Sequence, residues 1–250
     1  MNLDSMKEIL AAARREEKPL WEIIVETDME NRGATREDSF AKMSRAWHAM
    51  LEASDSYTGK RHSASGLVGG QGEQMRAYAA AGGAISGDFA AQVIAEALCM
   101  GESNACMRRI VAAPTAGACG VMPAVLIPLY RRDNIPEEKM LEAMFVASGI
   151  GAVIAYRACI AGASGGCQAE IGSASAMAAG ALVTLRGGAP EQVCHAVAMA
   201  LKNLLGLVCD PIAGLVEVPC VKRNVIGAMN AMAAADMALA GIESRVPVDE

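Results

Sequence analysis

Gly162-Ala163-Ser164-Gly165-Gly166-Cys167-Gln168, with the apolar run from Ile171 to Leu185 behind it, sets the architecture of this 250-residue chain. The first part is too rich in Gly and Ser to continue a helix and reads as a loop. The second is Ala-rich and reads as a helix whose small side chains let neighbouring helices come close. The same plan, a glycine loop feeding an Ala-rich helical segment, recurs three times. It is seen at Gly66-Leu67-Val68-Gly69-Gly70-Gln71-Gly72, at Gly82-Gly83-Ala84-Ile85-Ser86-Gly87, and at Ala113-Pro114-Thr115-Ala116-Gly117-Ala118-Cys119-Gly120. The repeats have no fixed period. A loop that opens a helix presents free backbone N–H groups and the positive end of the helix dipole, a setting that suits a carboxylate or phosphate. Four such loops predict a buried polar site between helix ends.

Composition points the same way. The chain is 53% hydrophobic but only 4% aromatic, with much of the apolar content in Ala and Met. That mixture favours a compact all-α body over a β-sandwich, which draws on β-branched and aromatic residues. We read residues 1–250 as one domain, with polar amphipathic helices over 1–56 and a glycine-loop core over 57–250. Ser5 should cap a first helix running through Arg15, and Lys18-Pro19 should end it and start the next. Thr35 with Asp38 resembles a capping box, followed by Phe40, Met43, Trp47, Met50 and Leu51 at helical spacing. His48 lies off that stripe.

Several function classes drop out. A net charge of −6 argues against a nucleic-acid partner. No basic stretch leading into an apolar run marks a signal peptide. The longest charge-free apolar runs, Ala143 to Tyr156 and Ile171 to Leu185, fall short of the roughly 20 residues that a bilayer needs. Eight cysteines without an export signal point to a reducing compartment. A cytoplasmic protein away from the membrane is the expectation.

The cysteines divide by context. Cys167, Cys209 (in Val208-Cys209-Asp210-Pro211) and Cys220 (in Val218-Pro219-Cys220-Val221-Lys222-Arg223-Asn224) each sit in a stretch that should break a helix. A cysteine in such a place is positioned for its sulfur. Cys99, Cys159 and Cys194 lie in helical stretches and read as buried thiols, Cys106 reads similarly, and Cys119 is ambiguous. No C-x2-C pair exists, so neither a ferredoxin-type run nor a zinc ribbon is present. From spacing alone the trio is either a metal-binding set or three buried structural thiols.

Three segments carry a resemblance. They are Pro114-Thr115-Ala116-Gly117, Ser164-Gly165-Gly166-Cys167-Gln168-Ala169-Glu170-Ile171-Gly172-Ser173-Ala174, and the long stretch from Lys202 to Asn224 that contains Cys209-Asp210-Pro211 and Pro219-Cys220-Val221-Lys222-Arg223-Asn224. Together they resemble the iron-sulfur-dependent L-serine dehydratases, and more closely their separate α subunit, from about Thr58 onward. The resemblance implies an all-α catalytic domain with a [4Fe-4S] cluster held by the matching positions Cys167, Cys209 and Cys220. It also implies conversion of L-serine to pyruvate and ammonia through aminoacrylate, in the amino-acid catabolism that supplies gluconeogenesis. A β subunit with an ACT-type regulatory region would complete a hetero-oligomer. The family's α subunits run some tens of residues beyond the position of Glu250, and Ser244–Glu250 looks like the opening of a further helix.

Three thiolates on a four-iron cluster leave one iron free to act as a Lewis acid toward the serine hydroxyl, whereas a fourth would close it. Candidate donors to the substrate carboxylate are the backbone N–H groups of Thr115, Ala116, Gly117, Ser164, Gly165 and Gly166, the Thr115 and Ser164 hydroxyls, and Arg223. Asp210 and Glu217 read as loop-orienting or capping groups. Lys222 could be a general base only if burial lowered its pKa; His62 and His195 lie outside the signature segments, and the base stays unassigned. The rivals are an L-cysteine desulfidase on a similar cluster and a non-catalytic helical subunit that binds a partner or zinc. A pyridoxal-phosphate enzyme would need an alternating strand and helix pattern that is absent.

Overall fold

A computed structural model describes residues 4–250. Those residues form ten α-helices and no β-strand, as the Ala-rich composition predicts. The N-terminal layer is α1 (Met6–Glu16), α2 (Leu20–Arg32) and α3 (Arg36–Asp55). Ser5 caps α1 by accepting from the Glu8 N–H at 3.3 Å. Thr35 and Asp38 form the expected box, with Asp38 N–H donating to Thr35 Oγ1 at 3.1 Å and Thr35 N–H donating to Asp38 Oδ2 at 3.3 Å. Trp47 and Met50 on the α3 stripe are buried, and the Trp47 ring meets Tyr130 edge-on at 5.3 Å. His48 points outward to the Glu137 carboxylate.

The remaining helices are α4 (Gln71–Ala80), α5 (Asp88–Ala105), α6 (Val121–Asp133), α7 (Glu137–Arg157), α8 (Gly162–Leu185), α9 (Pro190–Asn203) and α10 (Val218–Leu239). From Ile171 to Val183, α8 is buried at every position, surrounded by α6, α7, α9 and α10. Its small residues make this possible: a Cβ at Gly180 would overlap the Ile150 Cδ1 of α7. One hydrophobic core runs from Met6 and Trp47 through Ile150 and Ile171 to Ala238, so the N-terminal helices share it with the glycine-loop part. α7 has the length and apolarity of a membrane span, but 67% of its most apolar window is buried in the bundle. That is how a core helix presents itself.

Candidate active site

The Gly162–Cys167 segment differs from the loop its sequence suggests. Residues Gly162–Gly165 already form a helical turn, and the break is confined to Gly166, whose φ of 71° and ψ of −169° reset the helix direction. Cys167 therefore opens the long buried part of α8. Cys220 likewise lies in the first turn of α10, behind Glu217 as cap and with Pro219 in that turn, rather than in a loop. A proline there gives up an N–H that the helix does not use, so Pro219 marks a helix start where the sequence reads as a break. Cys209 does lie in an irregular segment. The chain turns back between it and Cys220 through a tight turn at Ala213 and Gly214, both at positive φ, closed by paired bonds between Ile212 and Leu215.

Arg223 joins the trio. Its Nη1 donates to Cys167 Sγ at 3.0 Å and to the Val208 carbonyl at 2.8 Å, and its Nη2 is 3.6 Å from Asp210 Oδ2. One guanidinium thus ties the start of α8 to the backbone next to Cys209. The Gly166 backbone packs on Leu207–Cys209, and Gln168 N–H donates to the Leu207 carbonyl at 2.7 Å. Burial pushes the Cys220 thiol up to about 11; the nearby Cys167, Glu170 and Cys209 push it the same way, and Arg223 opposes them. Those named neighbours place all three cysteines in one electrostatic neighbourhood. Among the described residues no three His, Cys, Asp or Glu side chains are gathered as the ligands of a single ion would be.

The Pro114–Gly117 segment reaches the same place through Asn224, a buried residue one turn beyond Cys220. Its Oδ1 accepts from Gly120 N–H at 2.8 Å, and its Nδ2 donates to the carbonyls of Gly117 at 2.9 Å and Cys220 at 2.8 Å. Ala116–Ala118 form a short 3-10 turn, held from α5 by Asn104. The Thr115 hydroxyl is buried there without a hydrogen-bond partner. On the far side Ser65 donates to Glu217 at 2.6 Å, bringing the Gly66–Gly72 segment alongside. The Gly82–Gly87 loop makes no hydrogen bond to this group among the described residues and closes on itself, Gly87 to Ala84. Of the four glycine loops, three border one site.

Other sequence readings shift. Ser164 and Gly165 donate their N–H groups to the Ala161 carbonyl, so those two are already engaged; the Gly166 N–H, the Ser164 hydroxyl and Thr115–Gly117 remain as candidate donors. Lys222 is exposed on α10, so the burial that a base role requires is absent. His195 accepts from the Ser244 N–H, away from the trio. Asp210 and Glu217 do act as orienting groups, on Arg223 and Ser65. Burial pushes Cys99, Cys119 and Cys194 up to about 12. Cys119, ambiguous in sequence, is a core thiol on the Met100 carbonyl. Cys159 is not buried in a helix: α7 stops at Arg157, and Cys159 is exposed in the link to α8. Two residues escape a reading by type alone, Glu170 and Asn224. Each stands one helical turn after a trio cysteine, and that spacing is the signal that could have found them.

Comparison with known proteins agrees with the signature segments. The serine dehydratase alpha chain family model matches residues 15–250. A probable L-serine dehydratase alpha chain of Bacillus subtilis is 45% identical over 98% of this chain and 82% of its own length. The L-serine dehydratase alpha chain of Peptoniphilus asaccharolyticus is 42% identical over 99% of this chain and 85% of its own. L-serine dehydratase 2 of Escherichia coli is 47% identical over 62% of this chain but only 34% of its own length. With a match over nearly every residue, including the helices that carry Cys167, Cys220, Arg223 and Asn224, this chain belongs to the serine dehydratase alpha chain family.

Proposed function

We propose that the chain is the catalytic α chain of an L-serine dehydratase, a lyase that removes water from L-serine. The aminoacrylate released takes up water to give pyruvate and ammonia. We further propose a [4Fe-4S] cluster on Cys167, Cys209 and Cys220, a β subunit as partner, and a cytoplasmic setting. The observation that carries the reading is the Arg223 clamp, which holds Cys167 against the Val208–Cys209 backbone with Cys220 alongside.

The residues present fit such a group. Three thiols and an arginine suit an anionic cluster, and α8 and α10 both begin at the site, where their positive ends favour negative charge. When bound, a cluster with three thiolate ligands supplies an iron without a protein ligand, a Lewis acid toward a departing hydroxide. The chain's own residues do the rest. Arg223 fixes the Cys167 sulfur and balances its charge. Asn224 locks the Thr115–Gly117 turn to the first turn of α10, holding its backbone donors and the unpartnered Thr115 hydroxyl for the substrate carboxylate. Apolar Leu205, Val208, Ile212, Leu215 and Val216 are exposed around Cys209, which supports a partner covering that segment.

The test is anaerobic preparation of the α chain with its β subunit, followed by iron and sulfide analysis and assays on L-serine and L-cysteine. About four irons per α chain, a brown colour lost in air, and pyruvate formation from L-serine are expected. Zinc, or no iron after anaerobic reconstitution, would remove the cluster. Preference for L-cysteine with sulfide release would make the protein a desulfidase.

A further inference from the structure

L-serine brings three groups to a site: a carboxylate, an ammonium and a β-hydroxyl. The reading above supplies donors for the first and an iron for the third, and leaves the ammonium without an acceptor. A buried ammonium calls for a charged acceptor, because hydrogen bonds to ionised partners are the strong ones. Three carboxylates lie around the cysteine trio. Asp210 faces Arg223 and is largely exposed. Glu217 accepts from the Ser65 hydroxyl. Glu170 has neither ion pair nor hydrogen bond among the described residues.

Its placement is specific. Glu170 stands three residues after Cys167 on α8, close enough to Cys220 for its charge to act on that thiol. Its carboxylate lies between two glycines from separate segments. A Cβ at Gly117 would come within 2.9 Å of Oε2, and one at Gly162 would overlap the same oxygen. Any side chain at either position would push the carboxylate aside. Gly117 belongs to the turn whose Thr115 hydroxyl is also buried without a partner. An unpaired carboxylate thus lies against the turn that carries an unpaired hydroxyl, beside the thiols and between two glycines.

We propose that the Glu170 carboxylate, set between Gly117 and Gly162 beside Cys167 and Cys220, accepts the α-ammonium of the amino-acid substrate. The inference rests on the dehydratase reading and adds what makes the site one for amino acids rather than for hydroxy acids. Glu170 then sets specificity without taking part in bond cleavage.

The test compares wild type with Glu170→Gln, both as anaerobic holoenzyme with the β subunit. L-glycerate is the probe beside L-serine: it keeps the carboxylate and β-hydroxyl and carries a hydroxyl in place of the ammonium. With iron and sulfide content unchanged, the variant should raise KM for L-serine about 10- to 100-fold. The inhibition constant of L-glycerate should move by less than about threefold, since it presents no cation to lose. Anaerobic calorimetry with L-alanine, which has the ammonium but no hydroxyl to eliminate, should show the same weakening without turnover. Gly162→Ala, which displaces the carboxylate, should reproduce the L-serine defect with iron retained. Equal shifts for L-serine and L-glycerate, no shift in either, or loss of iron on Glu170→Gln would overturn the assignment. A wild-type protein with neither iron nor turnover would instead bring down the dehydratase reading, and this inference with it.

Discussion

Cys167 and Cys220 have the same thiol as Cys99 and Cys194 and differ in what surrounds the sulfur. Cys99 and Cys194 are enclosed by helix side chains, and burial is the largest of the effects that push their thiols up, with nearby carboxylates adding to it. Cys167 has a guanidinium at 3.0 Å, and Cys220 has Cys167, Glu170, Cys209 and Arg223 within electrostatic reach. Substituting Cys167, Cys209 or Cys220 by Ala should therefore abolish iron binding and turnover, whereas Cys99→Ala and Cys194→Ala should retain both. Full iron content in any one trio variant would remove that residue from the ligand set. Asn224 carries the second expectation at this scale. Asn224→Ala leaves the buried Gly120 N–H and the carbonyls of Gly117 and Cys220 short of a partner, at about 1–3 kcal/mol for a buried orphan. A thermal melt should fall by about 5–10 °C, and iron should be lost faster in a chelator. The sequence singles out the trio because Gly166, Asp210 and Pro219 stand next to Cys167, Cys209 and Cys220 in turn. Cys159 is not singled out, because nothing in Ala158-Cys159-Ile160 punctuates a helix; the stop lies in the Ala158 backbone, at φ −140° and ψ −149°. Glu170 and Asn224 were hidden for another reason, since their meaning depends on Gly117, which is distant in sequence.

Helices here are positioned by what they lack. α5 and α10 meet where Gly101 faces the Val221 backbone, and a Cβ at Gly101 would sit 3.0 Å from Val221 Cα. Val221 follows Cys220, so this contact fixes the height of the α10 start at the site. In Gly101→Ala two effects compete. Helix propensity gains about 1 kcal/mol, and overpacking costs about 1–3 kcal/mol. The obstacle is backbone rather than the end of a flexible side chain, so the cost should win. The melting temperature should fall by up to about 8 °C, with weaker iron retention; a rise would mean that the two helices are not in this contact. Element type was readable from Ala content and caps, and the box at Thr35 is present as its spacing predicts. Boundaries at the site were not readable, because Gly162–Gly165 and Val218–Pro219 look like breaks and are helix starts. Propensity says that Gly and Pro disfavour helix interiors; it does not say on which side of them the helix lies.

Over the whole molecule the α8 core joins parts that the sequence shows as separate, and the ends of the described chain are tied together as well. Pro247–Glu250 forms a turn rather than a free tail, and Asp249 lies at the N-terminus of α1. Its carboxylate accepts from the Met6 and Lys7 N–H groups and from the Ser5 hydroxyl, each at 2.9 Å. Arg157 at the end of α7 donates to the Asp249 carbonyl at 3.2 Å, and Arg14 of α1 pairs with Glu191 of α9. No local pattern could reveal a cap supplied from 243 residues away. An anion at a helix start is stabilising through both the free N–H groups and the dipole, so Asp249→Ala should cost about 0.5–2 kcal/mol. The loss should also be local. Met6 and Lys7 amides should exchange with solvent faster, while α8 amides, buried on every side, should keep the protection of the core. Slower or unchanged exchange at Met6 and Lys7 would show that α1 is held by its buried face, Met6, Ile9, Ala12 and Ala13, without the aspartate. Faster exchange throughout α8 would mean that α1 and the core open as one unit, so that closing the chain's two ends is part of what holds the cysteine site in shape.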